Sequence, residues 1–160
     1  MNWQIVRAHY SNAAHAAAIV ALLDEYASGP SGGGEPLSAA VKSALIPALQ
    51  RSSCALTLLA FAGAEAVGVL NAFETVSTFR AKPLLNIHDI AVTAPWQRRG
   101  IGRALMLELE NIARERGCCK ITLEVLENNS NARALYRELG FEEYQLQEEF
   151  GRALFWQKMI

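Results

Sequence analysis

The sequence predicts a mixed α/β fold, and three observations predict it. A strand-like run, a polar turn with two glycines, an amphipathic helix and a second strand follow one another from Ile87 to Leu126, the pattern of a parallel βαβ unit. Upstream, two apolar, β-prone runs at residues 55–62 and 66–73 are separated only by Gly63, Ala64 and Glu65, as in an antiparallel hairpin. Near the N-terminus the apolar residues recur at helical spacing instead.

Taken in order, residues 3–8 read as a short first strand, and Ser11 or Asn12 stands where it can cap a helix over 13–26, whose Ala16, Ile19, Leu23 and Tyr26 share a face. Residues 28–36 hold four glycines and two prolines, so ordering them is entropically costly and no single conformation is expected. They read as a floppy connector or as a lid over an acceptor site. A helical pattern resumes over 37–50 through Val41, Leu45 and Leu49, with Pro47 expected to kink or shorten it. After the hairpin, a turn near Arg80 to Pro83 leads into a strand over 84–92.

Past the glycine turn, Ile101, Leu105, Leu109 and Ile112 line one helical face and Gly117 stops the helix. A strand over 120–126, a polar turn over 127–131 and a helix over 132–139 ended by Gly140 come next, and runs 141–147 and 153–159 read as a closing strand pair.

The chain has 160 residues, 51% hydrophobic and 19% charged, and residues 1–160 are read as one domain with an apolar core. A formal net charge of −1 excludes a broad basic face for nonspecific nucleic-acid binding. Cys54, Cys118 and Cys119 are odd in number and form no C-x-x-C pair, so neither a disulfide framework nor a zinc site is predicted, and they read as small core residues. The N-terminal stretch lacks a basic start and an unbroken apolar run, and nothing reaches the roughly 18 apolar residues of a membrane span. A soluble, reducing, cytoplasmic setting is expected.

The stretch from Ile87 to Met106 organises the rest. At its turn, Gly100 and Gly102 remove side chains where backbone must approach a ligand, and the N–H groups of residues 98–103 are the unpaired donors of a starting helix. With the positive end of the macrodipole and the guanidinium groups of Arg98, Arg99 and Arg103, they form an anion cradle. No G-x-x-x-x-G-K-[ST] occurs, and the third glycine of a dinucleotide fingerprint is missing. What remains is Q-x-x-G-x-G at Gln97, Gly100 and Gly102, a spacing that by itself also describes a plain strand-to-helix turn.

A second motif decides between these. Asn129, Ala132, Tyr136, Gly140 and Phe141 spell N-x-x-A-x-x-x-Y followed by a glycine and an aromatic, about thirty residues after V-x-x-x-x-Q-x-x-G-x-G at Val92, Gln97, Gly100 and Gly102. Together they resemble the second half of the GCN5-related N-acetyltransferase (GNAT) superfamily. Residues 77–92 and 117–129 look most like its diamine and polyamine branch, with His88 where that branch commonly has Glu and Asn128 where it commonly has Trp.

The resemblance implies one GNAT-like domain. Its central sheet is mixed and mostly antiparallel, a parallel pair splays apart at the cofactor site, and about four helices flank it. It implies acetyl-CoA as cosubstrate, no metal, and direct transfer to a primary amine on a small amine, polyamine or amino acid. A protein or peptide amine and a non-catalytic acyl-CoA sensor are the alternatives. A small-molecule amine and acetyl-CoA are the expected partners, without nucleic acid or membrane, and a homodimer is left open.

By the same resemblance, Arg98 to Arg103, including Ile101, hold the pyrophosphate with Gln97 near its edge, and Ile90, Ala91 and Val92 offer backbone groups to the pantetheine arm. Asn129 anchors pantetheine or a water, while Asn131 suits the helix cap better. Transfer needs an uncharged amine and a proton for the leaving thiolate. Tyr136 is the implied acid. His88 is the candidate base, its ordinary pKa near 6.5 suiting proton uptake from an ammonium. Asp89 and Glu74 are candidates for binding a cationic acceptor.

Overall fold

Alternating apolar runs and helical stripes resolve, in the computed structural model, into five strands and four helices; all residues are described except 1, 145–148, 150 and 152. The chain forms two compact units, Met1–Glu124 and Val125–Ile160.

The first unit is built on one sheet of β1 (Gln4–Arg7), β2 (Ala55–Ala62), β3 (Glu65–Ser77), β4 (Lys82–Val92) and β5 (Ile121–Leu123), lying in chain order. The first four pair antiparallel, and β4 with β5 is parallel, so the mixed sheet expected from the βαβ pattern is present. Helices α1 (Ala13–Ser28) and α2 (Ala39–Arg51) precede β2, and α3 (Ile101–Glu115) crosses between β4 and β5.

Side-chain alternation divides the core into two layers. Leu59 and Val69, register partners, pack with Ala18, Ile19, Leu22 and Leu23 of α1 and Leu49 of α2. Gly68, next along β3, turns the other way toward Ile101 of α3. Leu105, Met106, Leu109 and Ile112 continue that buried stripe, and each such leucine removed from water contributes about 1.5–3 kcal/mol.

Several details differ from expectation. Pro47 lies inside α2, which runs through it. It is exposed, on a side of the helix where water can meet a carbonyl left without its donor. The glycine-rich loop has a defined fold: Gly34 N–H bonds to the Ala27 and Gly29 carbonyls and Leu37 N–H to Asp24 Oδ1. Backbone bonding to the end of α1 offsets the entropy that composition alone predicts. The strand and the cradle are not contiguous, since a 3₁₀ turn, Ala94–Trp96, intervenes with Pro95 near its start. The cysteines are half-buried rather than core residues, Cys118 and Cys119 lying in the connection from α3 to β5.

In the second unit, α4 (Ser130–Glu138) is capped by Asn129, whose Oδ1 accepts from Ala132 N–H at 3.2 Å, and not by Asn131. The expected closing strand pair does not form in the residues described: 141–144 and 153–159 carry no strand, and 145–147 lie outside them. Leu154, Phe155 and Trp156 are 71–81% exposed. Apolar composition does not make a strand without a ladder partner.

Candidate functional site

Everything at the site in the first unit depends on how β4 ends. Asn71 pairs with Asp89 but Ala72 pairs with Ile87, so His88 is an extra residue with no partner on β3. Such a bulge re-aims the side chains beside it. Ile87 pairs with Ala72 on the α3 face, whereas Asp89 accepts from Asn71 Nδ2 at 3.0 Å on the α1 face. The exposed imidazole of His88 meets the edge of Phe73, which belongs to the α1 layer, at a centroid distance of 4.8 Å. Two consecutive residues, His88 and Asp89, are thereby presented on one side of the sheet.

The bulge also marks where the parallel pair parts. β5 pairs with β4 only at Leu85, Asn86 and Ile87. Beyond that point no described strand pairs with residues 88–92 on the β5 side. The backbone of Ile90, Ala91 and Val92 therefore has no strand partner on that side among the described residues, an edge of the kind at which an extended ligand can hydrogen-bond as an added strand would.

Along that edge the chain reaches the cradle. Gln97 folds back so that its Nε2 donates to the Val92 carbonyl at 3.0 Å. Arg98 takes φ 58° and Gly100 φ 84°, left-handed values that only glycine adopts without cost. These turns swing the chain into α3, where Gly100 is the N-cap and makes no side-chain capping bond. The first intrahelical bond runs from Ala104 N–H to the Gly100 carbonyl at 2.9 Å, so the amides of residues 101–103 precede the helix's own bonding ladder. Arg98, Arg99 and Arg103 are exposed around this turn, with the Arg99 guanidinium 5.0 Å from the centroid of the Trp96 ring. Helix-start amides, the positive end of the dipole and cationic side chains are groups that can hold an anion.

Sequence reasoning missed three residues that build this arrangement. Gly68 brings α3 against the sheet: a Cβ there would stand 3.2 Å from Ile101 Cγ2 and 3.3 Å from the Ala91 carbonyl oxygen. Thr57 and Asn71 are buried polar side chains within apolar strands. The available signal was their placement, a threonine in ALTLLAFA and an asparagine in VGVLNAFE.

Glu74 and Asp89, the two carboxylates proposed for acceptor binding, are not brought together. Glu74 pairs in register with Leu85 and forms an ion pair with Arg116 at 2.8 Å just past the end of α3. Three residues along from Asn71, it faces the other side of the sheet.

In the second unit, Asn129 caps α4, and the Tyr136 ring is 8% exposed with the Phe141 ring 5.9 Å away. Phe141 N–H bonds to the Tyr136 carbonyl across Gly140, so the motif's tyrosine, glycine and aromatic form one helix end. Among the described residues no three His, Cys, Asp or Glu cluster to hold a metal, and no helix is long and apolar enough to cross a membrane.

Comparison with known proteins follows these features. The sequence profile of the acetyltransferase (GNAT) family matches residues 18–141. A streptothricin acetyltransferase of Streptomyces lavendulae is 40% identical over 81 residues, 51% of this chain and 43% of that protein. The ribosomal protein bS18-alanine N-acetyltransferase of Escherichia coli K12 is 39% identical over 64 residues, 40% of this chain and 43% of that protein. The chain thus spans less than half the length of these curated relatives. Among solved structures, an aminoglycoside acetyltransferase from an uncultured soil metagenomic sample superposes with a TM-score of 0.72 at 25% identity, covering 92% of this chain and 96% of that one.

Proposed function

Because the chain belongs to the GNAT acetyltransferase family, we propose that it is an acetyl-CoA-dependent N-acetyltransferase that transfers the acetyl group directly to a primary amine. The observation that supports this reading is the order along the end of β4: His88 and Asp89 at the bulge, then residues 90–92 with no strand partner on the β5 side among the described residues, then the glycine turn that starts α3.

Acetyl-CoA supplies the activated acetyl group and a diphosphate. The amides of Ile101, Gly102 and Arg103, with Arg98 and Arg99, are the groups to hold that diphosphate, and Gln97 braces the turn that presents them. The edge of Ile90, Ala91 and Val92 receives the pantetheine arm. In this reading Asp89 binds the cationic acceptor, the exposed imidazole of His88 takes its proton, and Tyr136 keeps the acid role implied by its motif position. Asn129 combines helix capping with its motif role. The ion pair of Glu74 with Arg116 supports taking Asp89 as the acceptor carboxylate in this reading.

The acceptor is read as a small cationic amine. The streptothricin and aminoglycoside enzymes support that class, and the likeness of residues 77–92 to the polyamine branch keeps polyamines within it. A second reading, a protein N-terminal amine, is favoured by the relative that acts on ribosomal protein bS18-alanine.

Thiol release from acetyl-CoA tests both readings, measured with spermidine, sisomicin and an alanine-terminated peptide. Release with one of the first two and not with the peptide is expected. Release with the peptide alone establishes the second reading. A protein that acetyl-CoA stabilises thermally but that releases no thiol with any amine is a non-catalytic acyl-CoA sensor.

A further inference from the structure

Four side chains form a row across the sheet on the α1 face. Tyr10, just past β1, lies 3.0 Å from Thr57 Oγ1 of β2, Thr57 Oγ1 donates to Asn71 Oδ1 of β3 at 2.6 Å, and Asn71 Nδ2 donates to Asp89 Oδ2 of β4 at 3.0 Å. The direction of each bond in this row is fixed. A carboxylate only accepts, so the Asn71 amide must turn its nitrogen to Asp89 and its oxygen to Thr57. The single Thr57 hydroxyl hydrogen is then used on Asn71, and Tyr10 must be the donor to Thr57.

Thr57 is 1% exposed and Asn71 3%. Valine and leucine would occupy those positions without the desolvation cost of burying polar groups, and the flanking Leu56, Leu58, Leu70 and Ala72 are all buried. The chain retains polar groups here, and the row they form ends at Asp89.

We propose that Tyr10, Thr57 and Asn71 are positioning residues that hold the Asp89 carboxylate in one orientation for a cationic acceptor, an inference that rests on reading Asp89 as the acceptor carboxylate. With Oδ2 committed to Asn71, Oδ1 is the oxygen left for the acceptor. Because an asparagine amide does not relay protons, the row sets orientation and does not carry charge. Two neighbours share this environment. His88 adjoins Asp89 in the chain, and the Tyr26 phenol of α1 is pushed above its ordinary value, first by burial and then by the negative charge of Asp89.

The test uses Thr57→Val, which keeps the shape and removes the donor, and Thr57→Ser, which keeps the donor. The side-chain amide signals of Asn71 are followed by ¹⁵N NMR, and kinetics are measured with whichever of spermidine, sisomicin or the alanine-terminated peptide releases thiol. Thr57→Val should displace the Asn71 signals and lower kcat/KM for the amine about tenfold, the order of one hydrogen bond's net contribution lost from the positioning of Asp89. KM for acetyl-CoA should stay unchanged, and Thr57→Ser should behave as the parent protein. Tyr10→Phe, at the far end of the row, should give a smaller loss of the same kind.

Unmoved Asn71 signals in folded Thr57→Val, or parental amine kinetics in it while Asp89→Asn is impaired, overturn the positioning role and leave the Asp89 reading standing. Parental amine kinetics in Asp89→Asn remove that reading and this inference with it.

Discussion

The side-chain amide of Gln97 donates to the carbonyl of Val92 at 3.0 Å, so the last residue of β4 and the turn into α3 are tied by one bond spanning five residues. Removing it leaves the core untouched, because Gln97 is exposed. Gln97→Ala should keep its melting temperature within a few degrees yet lose about 0.5–1.5 kcal/mol of acetyl-CoA binding. Titration of the ligand-induced thermal shift reads this loss, and an unchanged shift would separate Gln97 from the cradle.

Two glycines set the course of α3 by different means. Gly100 stands at φ 84° with open space around it, so Gly100→Ala should cost about 1–2 kcal/mol through backbone conformation alone. Gly68 stands against Ile101 and the Ala91 carbonyl, so Gly68→Val should cost about 1–3 kcal/mol through overpacking. Urea denaturation measures both. Both should weaken the acetyl-CoA-induced thermal shift.

Asp24 ties the glycine-rich loop to both neighbouring helices, bonding Lys42 at 2.6 Å and the Leu37 amide at 2.8 Å. Its carboxyl is held below the ordinary 3.8, chiefly by the hydrogen bond from Lys42, against a smaller opposing effect of burial. A folded-state value below the unfolded one gives stability that is present above the ordinary value and lost as pH falls through the depressed one. The melting temperature of the parent protein should therefore exceed that of Asp24→Asn at pH 7, with the difference closing below the carboxylate range. A gap that persists in strong acid would show that charge on Asp24 is irrelevant.

Cys118 should be slow to react. Burial pushes its thiol above the ordinary 9.0, and the negative charge of Glu74 adds to this while Arg116 opposes it. The thiolate is the nucleophile, so iodoacetamide at pH 7.5 should label Cys118 more slowly in the folded protein than in urea. The deficit should narrow as pH rises past 9, as followed by peptide mass spectrometry.

Helices with a marked apolar stripe were legible in the sequence. Ile101, Leu105, Leu109 and Ile112 repeat at helical intervals and are buried as that spacing requires. So were the hairpin around Gly63 and the glycine turn into α3, because turn chemistry is local. The bulge was legible too, though unread: the residues paired toward α3 shift from Leu85 and Ile87 to Ile90, and a single extra residue makes that shift. The row from Tyr10 to Asp89 was not legible, because its members are separated by 47, 14 and 18 positions and only strand register aligns them. Asn129 was misjudged as a cap by two residues, within the usual uncertainty of helix ends.

Ile101 abuts Gly68 at one end of α3, and Arg116 grips Glu74 just past the other. An anion bound at the amino end of α3 would meet a helix held near both ends, so little of its binding energy would be spent on ordering the receptor.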